Sequence, residues 1–407
     1  MKEKATKNEN ILMVVYAMIC FSMGVWSNYR QLWLSESGFS VTEISRIFSV
    51  ALICSAIISF IISIFSVKVK VKNVVFLSII FRSISMLMLF ATKDIFLIKF
   101  STLLCIMSDV IFSISFYPML TFVTKTDESY RKKTLIEYIA KDVGIISCGL
   151  LIGVSIGKYI FNYNTCLIIA LVSCILSAFV LLFFNGEETH NRKEKLTLKK
   201  SFKEIFSSKL NRIFLYNQLI INISYAIVFD LMMIILTGFI KFEVSFASIF
   251  IIVCNVVANI INILINKYGK NMSIKISAIV KFGTRTLGYL IAFVLNNYIG
   301  FIIAIVFGFL TSRILEDKVT GSFLQLIDEE NQFLHSNIRY FISCIGEGIG
   351  AFIAGLLLTI SFKYVFLGAG VITLVQTIIQ IYMAKLKEKC WFFIIFIVLL
   401  TRSLFLV

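Results

Sequence analysis

The sequence predicts an all-α polytopic membrane protein, with twelve transmembrane helices in two pseudo-symmetric six-helix bundles and an apolar C-terminal tail. Three observations carry this. Apolar runs long enough to cross a bilayer recur with short polar breaks between them. The breaks alternate between strongly basic and weakly charged. The second half of the chain repeats features of the first in the same order.

A hydrocarbon core about 30 Å thick is crossed by about 20 helical residues. Of the 407 residues 59% are hydrophobic and only 15% charged, a balance outside the usual range of water-soluble domains. The apolar runs fall at 11–33, 42–66, 74–91, 95–122, 135–158, 165–184, 212–240, 245–266, 274–296, 298–323, 337–360 and 365–384. Lipid accepts only helices or closed barrels, and these runs are too long for barrel strands. The first run is long enough to span and lacks a small-residue cleavage site, so a span is expected there rather than a removable leader. Residues 391–407, "WFFIIFIVLLTRSLFLV", follow the basic "KLKEK" and are interrupted by Arg402. A thirteenth span, a segment lying along the membrane and a dispensable extension all suit this tail, and no role is assigned to it.

The net charge of +16 is a topology signal. With the N-terminal Lys2, Lys4 and Lys7 inside, alternate loops bring Lys68, Lys70 and Lys72, then Lys125 and Arg131 to Lys133, then Lys267 and Lys270, then Lys385, Lys387 and Lys389 to the same side. The long loop 185–211 adds seven more cations between Arg192 and Lys209. The opposite loops hold little beyond Lys93, Lys158, Lys241 and Lys363. Positive loops stay cytoplasmic, so both ends of the twelve-span core are expected on the cytoplasmic side of a cell membrane; the isoleucine-, lysine- and asparagine-rich composition points to a bacterial inner membrane as the setting. A nucleic-acid partner is not expected. The nine cysteines, among them Cys20, Cys54, Cys105, Cys148 and Cys344, show no CxxC or Cys/His metal spacing and read as small buried apolar residues. No metal or cofactor is expected. His190 and His335 fall in predicted cytoplasmic loops, which argues against a histidine proton relay.

Loop 185–211 divides the spans six and six, giving bundles at 1–184 and 212–384 and a basic, then apolar, tail at 385–407. Aligning Lys68 with Lys267 places Arg82 on Lys281. Tyr138, Gly144 and Gly153 of span 5 fall on Tyr340, Gly346 and Gly355 of span 11, and Asp127–Glu128 matches Asp328–Glu329. Ordered matches of this kind indicate a duplicated six-helix unit. At these residues the chain resembles the major facilitator superfamily of secondary transporters. That family carries G-x-x-x-D-(R/K)-x-G-(R/K)-(R/K) after each second span. Here the second half reads Asn262-x-x-x-Asn266-Lys267-Tyr268-Gly269-Lys270-Asn271, keeping Lys267, Gly269 and Lys270, with Asn266 where Asp is usual. The first half keeps only basic positions, Lys68 among them. The resemblance implies alternating access around a central cavity lined by spans 1, 4, 7 and 10. It also implies that spans 1 and 7 meet across the pseudo-twofold axis and close the outer side.

Small residues four apart let helices approach closely. Gly149, Gly153 and Gly157 lie on one face of span 5, and Gly346 and Gly350 on one face of span 11. Static packing and a sliding surface for alternating access both suit these stripes.

A charge at the bilayer centre costs at least about 2.5–3.5 kcal/mol on insertion scales, so intramembrane charges need partners or water and are functional candidates by default. Glu347 lies about ten residues into span 11 and Asp109 is central in span 4. Burial disfavours the charged form of a carboxylate, which makes these two the natural proton sites. In "TSRILEDKVTG", Arg313, Glu316 and Asp317 share a helix face. The repeat carries the end of span 10 to about Phe323 and puts them inside the span, while a solvated cytoplasmic helix end is the other reading. Lys141 and Asp142 lie in the inner part of span 5, where Glu137 and Lys141 can also simply pair at i, i+4. Arg82 and Lys281 are central in spans 3 and 9 or snorkel toward the headgroups. Arg30 and Asp230 near the outer ends of spans 1 and 7 are candidates for an outer gate, and Arg30 alone also suits a headgroup anchor.

No P-loop is present, so an ion or substrate gradient is the expected energy source. The expected protein is not an enzyme but a secondary active transporter, moving a small-molecule substrate with protons through the lipid bilayer as a monomer. A membrane sensor or assembly partner that keeps the same fold is the rival, since function does not follow from fold.

Overall fold

The structure, a computed structural model, describes residues 2–65, 71–123, 127–152, 155–156, 159–160, 162–185, 206–268, 272–313 and 329–404. Within these, the side chains of several helix ends, including residues 266–268, 312–313 and 387–404, lie outside the description.

The described residues are helical almost throughout. The first apolar run forms α1 (Lys2–Ser27) and the short α2 (Arg30–Glu36), interrupted at Asn28–Tyr29. Next come α3 (Val41–Phe65), α4 (Val71–Ala91), α5 (Ile95–Val123), α6 (Asp127–Leu151) and α7 (Tyr163–Leu182). α7 starts at a capping box in which the Asn162 side chain accepts from Asn164 and Thr165. The second half opens with α8 (Lys209–Phe229), a break at Asp230–Leu231, the single turn α9 (Met232–Ile234) and a π-helical turn at Ile235–Phe239. α10 (Val244–Tyr268) follows. The ninth run is α11 (Ile274–Ala278), a second π turn (Ile279–Gly283) and α12 (Thr284–Leu295). α12 stops where Asn296 takes a left-handed conformation, φ 44°. α13 (Tyr298–Arg313), α14 (Glu329–Ile360) and α15 (Phe362–Leu404) complete the chain.

Ten helical stretches among the described residues are long and apolar enough to cross a membrane. The other two predicted spans are α6, which carries Glu137, Lys141 and Asp142 along its length, and α13, whose described part has 16 residues. Large apolar side chains point outward on these helices, with Phe96 72%, Val294 76% and Ile360 69% exposed. Water would not tolerate such a coat, but lipid does.

Two expectations are corrected, and the tail, left open by the sequence, is placed next to the last span. The fifth span was expected as helix through residue 158, but α6 ends at Leu151. A two-residue antiparallel pairing follows, with Ser155 opposite Ile160 and Ile156 opposite Tyr159. The helical stripe therefore keeps Gly149, while Gly153 and Gly157 lie outside the described residues. Cys148 is not a lone buried apolar residue: it forms a disulfide with Cys166 that ties the end of α6 to the start of α7 across this hairpin. The tail is continuous with the last span, because no glycine or proline interrupts residues 371–404 and α15 runs for 43 residues. At 1.5 Å per residue it is about 64 Å long, twice what the bilayer core requires.

The chain divides into two compact units. One comprises Met1–Lys195, Tyr225–Val253 and Ser336–Phe362, and the other Leu196–Ser224, Cys254–His335 and Lys363–Val407. In the first, α1 and α6 cross at Gly24 and Gly144. A Cβ on Gly24 would strike the Lys141 carbonyl, and one on Gly144 would sit 2.5 Å from the Phe21 carbonyl oxygen. On α14, a Cβ on Gly355 would strike Ser45 of α3, whose hydroxyl donates to the Ala351 carbonyl, and one on Gly348 would sit 3.1 Å from the Ser49 carbonyl. Gly149 faces Ser248 and Tyr29, and the Tyr29 hydroxyl lies 2.6 Å from the Ser248 hydroxyl and donates to the Ile145 carbonyl at 2.5 Å. In the second unit Phe301 stacks on Phe366 at 5.2 Å, and Phe282 and Ala278 pack with Ile221, Ile261, Ile265 and Leu310.

The α1–α6 crossing is backbone on backbone, so neither helix can turn a rotamer aside. Gly144→Ala is expected to cost about 1–3 kcal/mol, the scale of overpacking a tight contact. Thermal unfolding in detergent checks this against Gly238→Ala, where the added carbon meets nothing nearer than 3.8 Å. Equal unfolding temperatures for the two would show that the crossing is loose.

Candidate functional site: a buried charge cluster

The two interrupted spans place charge at their interruptions. Arg30 is the first residue of α2, and Asp230 follows the last residue of α8. A continuous helix satisfies its own backbone, whereas a break exposes polar ends that lipid rejects. Such breaks persist only where protein or water lines them.

Arg82 of α4 is the centre of the cluster, 2% exposed. It makes an ion pair with Asp109 of α5. Its Nε donates to the Ser22 hydroxyl of α1 at 3.2 Å, and its Nη1 approaches the Cys105 thiol of α5 at 3.8 Å. The Ser22 hydroxyl in turn lies 3.1 Å from the Cys174 thiol of α7. One guanidinium thus links four helices. A cation here without its carboxylate would be prohibitively placed, so Asp109 neutralises it.

Arg30 is 7% exposed and lies over the Phe48 ring, 4.8 Å from its centroid. It sits beside Cys105 and within electrostatic reach of Arg82 and Asp230. No carboxylate among the described residues comes within ion-pair distance of it, and its Nε and Nη1 have no hydrogen-bond partner. Asp230 interacts with Glu347 of α14 as well as with Arg30, and its Oδ2 is buried without a partner. Asp230 and Glu347 are both partly exposed as whole residues. Asp230 and Glu347 thus form a second group of charges, within electrostatic reach of each other and near Arg30.

The other residues singled out from sequence lie elsewhere. Lys141 pairs with Glu137 at 2.8 Å, Lys133 approaches the same carboxylate at 3.5 Å, and the Tyr16 hydroxyl donates to it at 2.6 Å. This closed network binds α6 to α1. Asp142 has an interaction of its own. Arg313 ends α13 and Lys267 lies in the last turn of α10, with both side chains outside the description. Glu316, Asp317, Lys68, Gly269 and Lys270 lie outside the described residues. In the second unit Lys281 is 2% exposed in the π turn, and Arg285, one turn on, donates from Nε to Thr311 at 2.9 Å. Arg285 was not singled out, although its position four residues after Lys281 in an apolar run was a usable signal. The Ser22, Cys105 and Cys174 contacts carry no sequence signal, since serine and cysteine are common in spans.

The profile of the Major Facilitator Superfamily matches residues 11–329. No curated protein matches the chain by sequence. Among solved structures, a mutant of the nucleoside transporter NupG has a TM-score of 0.71 at 13% identity, covering 92% of this chain and 99% of its own. A POT family transporter in complex with 5-aminolevulinic acid also gives 0.71, at 12% identity, covering 93% and 96%. A bacterial homolog of the human lysosomal transporter Spinster, inward-facing and unoccupied, gives 0.65 at 11% identity, covering 95% and 98%.

Proposed function

The chain belongs to the major facilitator superfamily, and from that premise we propose that this multi-pass membrane transporter moves its small-molecule substrate across the cell membrane by alternating access, coupled to protons. The bundles at 1–184 and 212–384 are the moving parts, the 185–211 linker and both ends of the core are cytoplasmic, and the working unit is a monomer. The observation that carries the coupling is the Asp230–Glu347 pair, partly exposed and facing Arg30. With the pair deprotonated, its negative charge holds Arg30. Protonation removes that charge and releases the guanidinium, and the release makes the conformational step depend on the proton. Arg30 and Asp230 act as a gate through this attraction across the helix breaks.

A thermal-shift screen of metabolites and drugs supplies a test solute, because a ligand that binds the folded state stabilises it by mass action. Counterflow of that solute in proteoliposomes then tests transport, and uptake driven by an imposed pH gradient tests coupling. Counterflow that ignores the gradient removes the proton. A solute that binds without counterflow leaves a sensor instead.

The orientation has its own test. Asn191→Cys, in a background without native cysteines, is expected to resist a membrane-impermeant thiol reagent in whole cells and to react after lysis. Ready labelling of intact cells would invert the topology.

A further inference from the structure

The region around Arg30 and Arg82 holds more donors than the protein uses. Trp26 Nε1, Arg30 Nε and Nη1, Arg82 Nη2 and Thr102 Oγ1 are all buried without a hydrogen-bond partner. Trp26 and Thr102 are fully buried, and both arginines are more than nine-tenths buried. Native interiors leave few such groups unpaired, because each forfeits its hydration without replacement. All but the threonine hydroxyl are donor-only groups.

The two arginines are neighbours, and Trp26 and Thr102 lie within four residues of Arg30 and of Cys105, respectively, along the chain. Arg30 and Arg82 feel each other directly, and both approach Cys105. Thr102, Cys105 and Asp109 stand at i, i+3 and i+7 on one face of α5. Trp26 lies one turn before Arg30, its ring held edge-on against Trp33 at 5.8 Å. Only one carboxylate, Asp109, touches either guanidinium among the described residues. The Glu137 network is the contrast: there one carboxylate has three protein partners and nothing is left over.

We propose that the unpaired donors around Arg30 and Arg82 form an oxyanion site, so that the solute carried by this transporter bears a carboxylate or phosphate group. The proposal rests on the transporter reading above. An oxyanion supplies the acceptors that Trp26, Arg30, Arg82 and Thr102 lack, and guanidinium–oxyanion bonds are among the stronger hydrogen bonds available. It also supplies an anionic group in direct contact with Arg30, which no carboxylate among the described residues touches. The unpartnered acceptors Gln31 Oε1 and Asp230 Oδ2 can take a donor on the same solute, but the fixed positive charge selects the class. Proton coupling fits this choice, since release of Arg30 from Asp230 and Glu347 frees it for the anion.

The test is thermal unfolding of the purified full-length chain titrated with inorganic phosphate in one arm and with acetate and benzoate in another. Chloride keeps ionic strength constant. Saturable stabilisation in either arm is expected, and the arm that responds identifies the oxyanion. Arg30→Gln should weaken the apparent affinity about tenfold or more, the scale of losing one charge-assisted contact. Trp26→Phe removes the indole N–H with its five-membered ring but no charge, and should weaken it several-fold, which keeps the test usable should Arg30→Gln fold poorly. Arg212→Gln, exposed on α8, should change nothing. Saturation in neither arm, or affinities equal to wild type in Arg30→Gln and Trp26→Phe, would overturn the oxyanion site. Counterflow of an uncharged or cationic solute with no oxyanion binding would overturn it too, while leaving the transporter reading standing.

Discussion

Replacing Glu347 by glutamine is expected to abolish pH-driven accumulation of substrate while the protein still folds and still exchanges substrate by counterflow. Glutamine has nearly the size of protonated glutamate and carries no charge. The variant therefore holds one member of the Asp230–Glu347 pair permanently in its neutral form. Asp230 then faces Arg30 without a competing carboxylate and ionises freely, so no proton is taken up and released in each cycle. A gradient can drive only a cycle in which protons cross. Exchange of substrate against substrate needs no net proton movement and should continue. The measurement is uptake into proteoliposomes with and without an imposed pH gradient, alongside counterflow in the same vesicles. Undiminished gradient-driven uptake would remove Glu347 from the mechanism, and loss of counterflow as well would give it a role in substrate binding or folding instead.

How much of this was legible in the sequence depends on the kind of force involved. Hydrophobic length is local, so ten of the predicted runs are matched by helical stretches long and apolar enough to cross a membrane, and the charges that interrupt the runs were visible as anomalies. Their partners were not. Arg82 meets Asp109 across two helices, and Asp230 meets Glu347 across more than a hundred residues of chain; no spacing rule reports such a meeting. The Glu137–Lys141 pair is the exception because it is one helical turn apart. The breaks at Asn28–Tyr29 and Asp230–Leu231 contain no glycine or proline, so the usual punctuation was missing, although polar residues in an apolar run marked both places. The two π turns left no trace, since an i to i+5 hydrogen bond has no composition of its own. The two-residue strand pairing after α6 was expected as helix because Gly149, Gly153 and Gly157, four apart in the sequence, imitate a packing stripe. The Cys148–Cys166 bond joins residues 18 apart in two different helices and matches no motif.

Asp109 was first a candidate proton site, and its pairing with Arg82 gives it a different expected phenotype. Asp109→Asn should damage the fold itself. The substitution keeps the shape and leaves the Arg82 guanidinium, 2% exposed, with neutral partners alone: the new amide oxygen, the Ser22 hydroxyl and the Cys105 thiol. Removing one member of a buried pair costs about 3–5 kcal/mol, because the remaining charge has neither water nor a counter-ion. That is a large share of a stability that rarely exceeds about 15 kcal/mol. The expected readout is a sharp drop in folded yield and in unfolding temperature in detergent. The double variant Asp109→Asn with Arg82→Met should recover much of it, since methionine fills the space and removes the stranded charge. The interaction term of this cycle separates the pair from each residue's own packing. If Asp109→Asn instead unfolds at the wild-type temperature and loses only gradient-driven transport, then Arg82 tolerates the loss of its carboxylate and Asp109 returns to the list of proton carriers. If the double variant is no more stable than Asp109→Asn alone, the damage lies in the packing of α4 against α5 and the ion pair is not its cause.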